Sequence, residues 1–123
     1  MSTAVESWVL EFEGYPPSPN ARLHWRTKAR VTKHWRSTAR LKAALAGIPQ
    51  CPRVRISVVI IRRALGVADE DNDRARMKAL VDGLRDAGVI ENDTYGNVEW
   101  GTMREERGRK GLRVIVERLE ALT

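Results

Sequence analysis

The run "VRISVVII", Val54 to Ile61, constrains this chain most. Its β-branched residues favour an extended backbone, and toward its end it is continuously apolar, so polar–apolar alternation gives out and both faces of the strand need cover. Such a strand belongs inside a sheet, and the rest of a 123-residue chain has to cover it. That length supports one modest core, hence a single domain over residues 1–123.

The remaining elements follow from periodicity and punctuation. "WVLEFE", Trp8 to Glu13, reads as a first strand stopped by Gly14. "GYPPSPN" excludes regular structure because its prolines remove backbone donors and restrict the residues before them. Trp25 to Ala46 reads as a helix closed by Gly47 with Pro49 beyond. Projected at about 100° per residue, Val31, Trp35, Leu41 and Leu45 share the packing side, while Arg26, Arg30, Lys33, Arg36 and Arg40 gather on the other. Trp35 is expected in the core; Trp25 suits either core or a stacking contact. Lys42 falls near the apolar arc, with its stem along the core and its head in water.

A second helix begins around Asn72 or Asp73, carries a buried stripe of Met77, Leu80, Val81 and Leu84, and ends at Gly88. Lys78 and Asp82 then face away from the core. Asn97 to Arg104 and Leu112 to Arg118 read as strands joined by the basic turn "ERGRKG". The order β-α-β-α-β-β implies an α+β fold, a small mixed sheet with two helices packed on one face.

Charge is unevenly distributed. The net charge is +6, yet between Gly14 and Ala68 there are twelve Arg or Lys residues and no acid, whereas from Asp69 onward thirteen acids face ten bases. An acid-free basic region attracts polyanions, of which nucleic acid is the commonest, through phosphate contact and counterion release. A membrane span and a secretory signal are both missing from the sequence, which points to the cytoplasm. Cys51 has no cysteine to pair with, and with His24 and His34 it makes no zinc-spaced set, so any metal must be held by oxygen. Cys51 itself reads as a small buried or boundary residue.

The acids concentrate in "ADEDNDRARMKALVDGLRDAGVIENDT", Ala68 to Thr94. Asp69 and Asp71 stand two apart in the connection from strand to helix, where an extended backbone projects them the same way. Asp93 follows the second helix and approaches that pair if the helix packs back on the sheet. Three carboxylates brought together repel unless a cation sits between them, and oxygen ligands alone suit Mg2+ or Mn2+. Such an ion polarises a phosphate and activates water for phosphodiester hydrolysis, with Lys78 placed to balance phosphate charge. The plainer reading of "DEDND" is a solvated acidic helix start. A calcium loop fails, because Arg74 and Leu80 stand where glycine and glutamate are needed.

"PPSPN", the basic helix, "DEDN", a lysine before "VDGLRDAGVI", and the following "ND" together resemble the RusA family of Holliday junction resolvases. The resemblance runs from about Gly14 to Val98. Its motifs are individually unspecific and more specific in their order and spacing. It implies a homodimeric, magnesium-dependent endonuclease, of a family common in phages and prophages, that cuts four-way DNA junctions symmetrically in recombination and repair. By position it implies metal-binding catalytic acids at Asp69, Asp71 and Asp93, the essential lysine at Lys78, the motif asparagine at Asn72, the helix acid at Asp82 and the loop asparagine at Asn20. No small-molecule cofactor is implied.

The basic residues expected to hold phosphate are Arg26, Lys28, Arg30, Lys33, Arg36 and Arg40. The chain departs from the family pattern in three ways. The lysine commonly stands where this chain has Ala75, so Lys78 matches with one helical turn inserted and Arg74 is the other candidate; Asn92 replaces an acid; Glu70 and Glu91 are additional. Two other readings stand beside this one: a non-catalytic nucleic-acid-binding protein, and a nuclease acting on flaps, forks or RNA.

Overall fold

A computed structural model of the protein describes residues 4–17, 22–64, 75–91 and 97–120. The elements in chain order are β1 (Ala4–Glu13), α1 (Trp25–Ala46), β2 (Arg53–Arg62), α2 (Lys78–Asp86), β3 (Val98–Arg107) and β4 (Gly111–Leu119). The fold is α+β, with four strands in the order β1-β4-β2-β3 and both helices against one face. β4 is antiparallel to both neighbours, while β2 and β3 are parallel, which makes the sheet mixed. β2 has a strand partner at each edge, and, as its apolar run requires, every residue from Ile56 to Ile60 is buried. Among the described residues no helix is long and apolar enough to cross a membrane.

Leu10 and Phe12, Val54 to Ile60 at even positions, and Leu112, Val114 and Val116 form the covered face of the sheet. Alternation in β1 and β4 therefore does what a half-buried strand needs. On the opposite face Arg55 lies 3.6 Å from Glu117 and 3.7 Å from Glu99, and Arg113 lies 3.5 Å from Glu11 and 3.6 Å from Glu106. That face is a lattice of opposite charges in register across strands.

α1 has the predicted bounds. His24 accepts a hydrogen bond from the Arg26 amide at its start, and Gly47 closes it at φ 71°, a left-handed conformation that costs glycine little. Its buried stripe differs from expectation. Trp35, Ala39 and Ala43 face the core with Val31 beside them, whereas Leu41 and Leu45 are 59% and 79% exposed. The cause lies on α2. A Cβ placed on Gly83 collides with the Arg36 carbonyl oxygen and comes within 2.7 Å of the Ala39 Cβ. The helices meet too closely for leucine, and alanine occupies the contact. Trp35 also meets Phe12 of β1, ring centroids 5.9 Å apart, and the half-buried Lys42 holds its ammonium 5.4 Å from the Phe12 ring centre.

Gly83→Ala is therefore expected to lower stability. In an open helix the change gains up to about 1 kcal/mol, but overpacking of this kind costs about 1–3 kcal/mol. A rigid backbone oxygen is among the displaced atoms, so the net result is a loss on the order of 1 kcal/mol, read as a lower urea midpoint. An unchanged or higher midpoint counts against the close crossing.

α2 buries Met77, Leu80, Val81 and Leu84 with its preceding turn, as the spacing predicts, and Gly88 follows at φ 82°. Residues 72–74, where its start was expected, lie outside the described residues. β3 and β4 do not pair with each other. The turn between them passes the end of β2, where the Gly108 amide donates to the Arg62 carbonyl at 2.9 Å, and β4 enters the sheet on the other side of β2.

Candidate nucleic-acid interface

Seven Arg or Lys residues and no acid lie within α1. A surface groove of about 690 Å³ runs along this helix, walled by Trp25, Lys28, Lys33, Arg36 and Arg40, with Asp86 of α2 at its edge. Trp25 is 69% exposed, its ring stacked on His24 and capped by the Arg26 guanidinium at 5.1 Å. That settles the open choice for Trp25 in favour of a surface ring, and Trp35 is core as expected. Arg26 and Arg30 are exposed but lie outside the groove, whereas Lys28, Lys33, Arg36 and Arg40 line it. The predicted basic face is thus split.

Among the described residues, Arg36 is the one cation of α1 that forms an ion pair. Its Nε and Nη2 donate to the two Asp86 oxygens at 2.5 Å and 2.8 Å, a planar two-point contact. The hydrogen bond from Arg36 holds the Asp86 carboxyl below its ordinary range, with the charges of Arg36, Arg85 and Arg40 adding to it, and Asp86 holds the Arg36 guanidinium above its own. A carboxyl lowered by folding contributes stability above its unfolded pKa and loses it as pH falls through the folded value. Both side chains are substantially exposed, 40% and 30%, so that contribution is small. The larger effect is on charge, since Asp86 cancels one positive unit of the groove at neutral pH. Asp86→Asn is expected to tighten duplex binding and steepen its log–log salt slope by about 0.9, with little change in Tm. Titrations at several salt concentrations check this; a flatter slope overturns it.

A second, narrower cleft of about 250 Å³ joins the first through Lys28 and Thr32, and lies between Pro16–Pro17, α1 and the start of α2. Lys78 stands at this cleft with 75% of its side chain exposed, 3.9 Å from Asp82, which is 14% exposed and also 3.8 Å from Arg85. Lys78 thus faces away from the core as expected, whereas Asp82 is largely covered. Nearby, the Tyr15 ring gathers three cations from separate parts of the chain: Arg62 at 5.5 Å, Arg76 at 5.4 Å and Lys110 at 4.7 Å. Arg76 also donates to the Pro16 carbonyl at 3.4 Å, which ties the proline loop to the start of α2.

Asn20, Asp69, Asp71, Asn72 and Asp93 lie outside the described residues. Their described flanks are placed. Arg62 and Arg76, on either side of the segment bearing Asp69 and Asp71, meet at Tyr15 near the C-terminal end of β2. Asn97, just past Asp93, accepts from the Val54 amide at 2.9 Å near the N-terminal end of β2. These flanks alone do not bring the two acidic stretches together. Among the described residues no three His, Cys, Asp or Glu side chains group as a metal site. Cys51 is buried, its thiol donates to the Pro49 carbonyl at 3.3 Å, and burial pushes its pKa up, all of which fits a packing residue.

Sequence reasoning did not single out Tyr15 or Asp86. No local pattern marks either, because their partners lie far along the chain. The chain is similar to an uncharacterized protein of Xylella fastidiosa (strain Temecula1), 31% identical over 96 residues that span 74% of this chain and 63% of that protein. The chain therefore covers less than two thirds of the length of this relative. No family model matches the chain.

Proposed function

We propose that this chain is a RusA-like endonuclease that resolves four-way DNA junctions in recombination and repair, acting in the cytoplasm as a homodimer with Mg2+ or Mn2+. The observation that carries the reading is a contrast in charge. On the outer sheet face arginines stand against glutamates, whereas Lys28, Lys33 and Arg40 line a groove beside an exposed tryptophan with no acid in ion-pair contact among the described residues. Cations not engaged in ion pairs suit the phosphate backbone, which they hold without reading sequence. The exposed Trp25 ring adds a surface on which a base stacks.

Catalysis is assigned to Asp69, Asp71, Asp93 and Lys78, with Asn72 and Asp82 in support. Their donor set is oxygen alone, which fits a magnesium-class ion and no softer metal. When bound, such an ion polarises the scissile phosphate and lowers the pKa of water. Lys28, Lys33 and Arg40 orient the backbone, and Lys78 meets phosphate charge at the cleft. A four-way junction has two-fold symmetry, which a dimer with one site per subunit matches.

The test is a side-by-side digest of a four-way junction, a flap, a fork and a linear duplex, with Mg2+, with Mn2+ and with chelator. Paired, symmetric cuts in the junction that vanish with chelator are expected. If every branched DNA survives intact with either metal, the nuclease reading is abandoned and the non-catalytic binding reading takes its place.

A further inference from the structure

We propose that the narrower cleft between the proline loop, α1 and α2 receives one unstacked nucleotide of a branched or distorted DNA, and that this supplies the selectivity the basic groove lacks. The inference rests on the nucleic-acid reading of α1. The groove by itself holds any phosphate backbone and so treats a plain duplex and a branch point alike.

The cleft differs from the groove in size and lining. Its volume of about 250 Å³ is roughly a third of the groove's, and Leu23, Val31, Trp35 and Ala79 give it apolar walls closed by Pro16 and Pro17. A duplex, whose major groove alone is about 12 Å wide, cannot enter; a single planar base that has left its stack can. Apolar walls accept any base, since every base presents a π-face. Cations at the rim suit the phosphate of a nucleotide. Lys28 belongs to both depressions, and the largely exposed Lys78 lines the cleft as well, 3.9 Å from Asp82, a cleft residue that offsets part of its charge. A base seated in the cleft leaves its backbone within reach of these cations. Moving a base out of the stack is least costly where pairing is already broken, so the cleft adds affinity at branch points, bulges and mismatches and none on intact duplex.

The test uses the intact protein without divalent metal and two DNAs: a linear duplex and the same duplex with a one-nucleotide bulge. Binding is read by fluorescence anisotropy over a range of salt, for the wild type, Ala79→Phe, which fills the cleft, and Leu23→Ser, which removes an apolar wall at a 39% exposed position. The wild type is expected to bind the bulged DNA about tenfold more tightly. Both variants are expected to abolish that preference while leaving linear-duplex affinity and its salt slope unchanged. Should Ala79→Phe disturb the helix pair, Leu23→Ser decides. Equal wild-type binding of the two DNAs, or a preference that survives Leu23→Ser, overturns the cleft assignment and leaves the groove intact. Failure of the wild type to bind either DNA at low salt removes the nucleic-acid reading, and the cleft assignment with it.

Discussion

Replacing Lys28, Lys33 and Arg40 together by glutamine is expected to flatten the log–log salt dependence of DNA binding by roughly 2.7, about 0.9 for each phosphate left without its cation. Between 1 M and 0.1 M salt those three cations amount to some 10²–10³-fold in affinity. The same treatment of Arg26 and Arg30, which lie outside the groove, is expected to change the slope less. Salt titrations of the two variants on one duplex separate a phosphate track from a merely basic helix. If both variants flatten the slope equally, the groove has no special role and the charge of α1 acts as a whole. The substitutions are safe for the fold, because all three residues are exposed and none is in an ion pair among the described residues.

Asp71→Asn is expected to abolish junction cutting while leaving junction binding within a few-fold of wild type. Even groups that only orient a metal ligand are worth about 10–100-fold, so loss of a ligand should exceed about 100-fold in cleavage rate. Asparagine keeps the size and loses the charge, which the proposed ion needs. A metal-supplemented digest beside a binding titration in chelator reads both quantities on one preparation. Retained cutting removes Asp71 from the catalytic set. Loss of binding in parallel with cutting assigns it a structural role in the acidic segment instead.

The strands and the main helix were legible because their signals are local. "VRISVVII" demanded cover on both faces and is buried throughout Ile56 to Ile60, and Gly47 stops α1 at the predicted residue. The packing face of α1 was misread because hydrophobicity ranks leucine above alanine. Proximity reverses that order here: Gly83 brings α2 so near that Ala39 fits the contact, and Leu41 and Leu45 are left outside. No single-helix projection contains that information, since it resides in a glycine some 40 residues away. The basic face was legible in composition but not in outline, because Asp86 engages Arg36 across 50 residues of chain. The acidic site was expected from carboxylate spacing and family resemblance; its central acids lie outside the described residues, which place only Lys78, Asp82 and the Tyr15 cluster.

The strand order β1-β4-β2-β3 has a kinetic consequence. β4 fills the gap between β1 and β2, so the last described strand joins the first to the centre of the sheet. Until β4 is synthesised and inserted, β1 has no strand partner and one edge of β2 stays open, with unpaired amides and carbonyls that invite other chains. Contacts so distant in sequence form slowly, after a long loop has been closed. Folding on the ribosome therefore cannot finish strand by strand: the helices and β2–β3 can gather first, and closure of the sheet waits for Gly111–Leu119 to emerge.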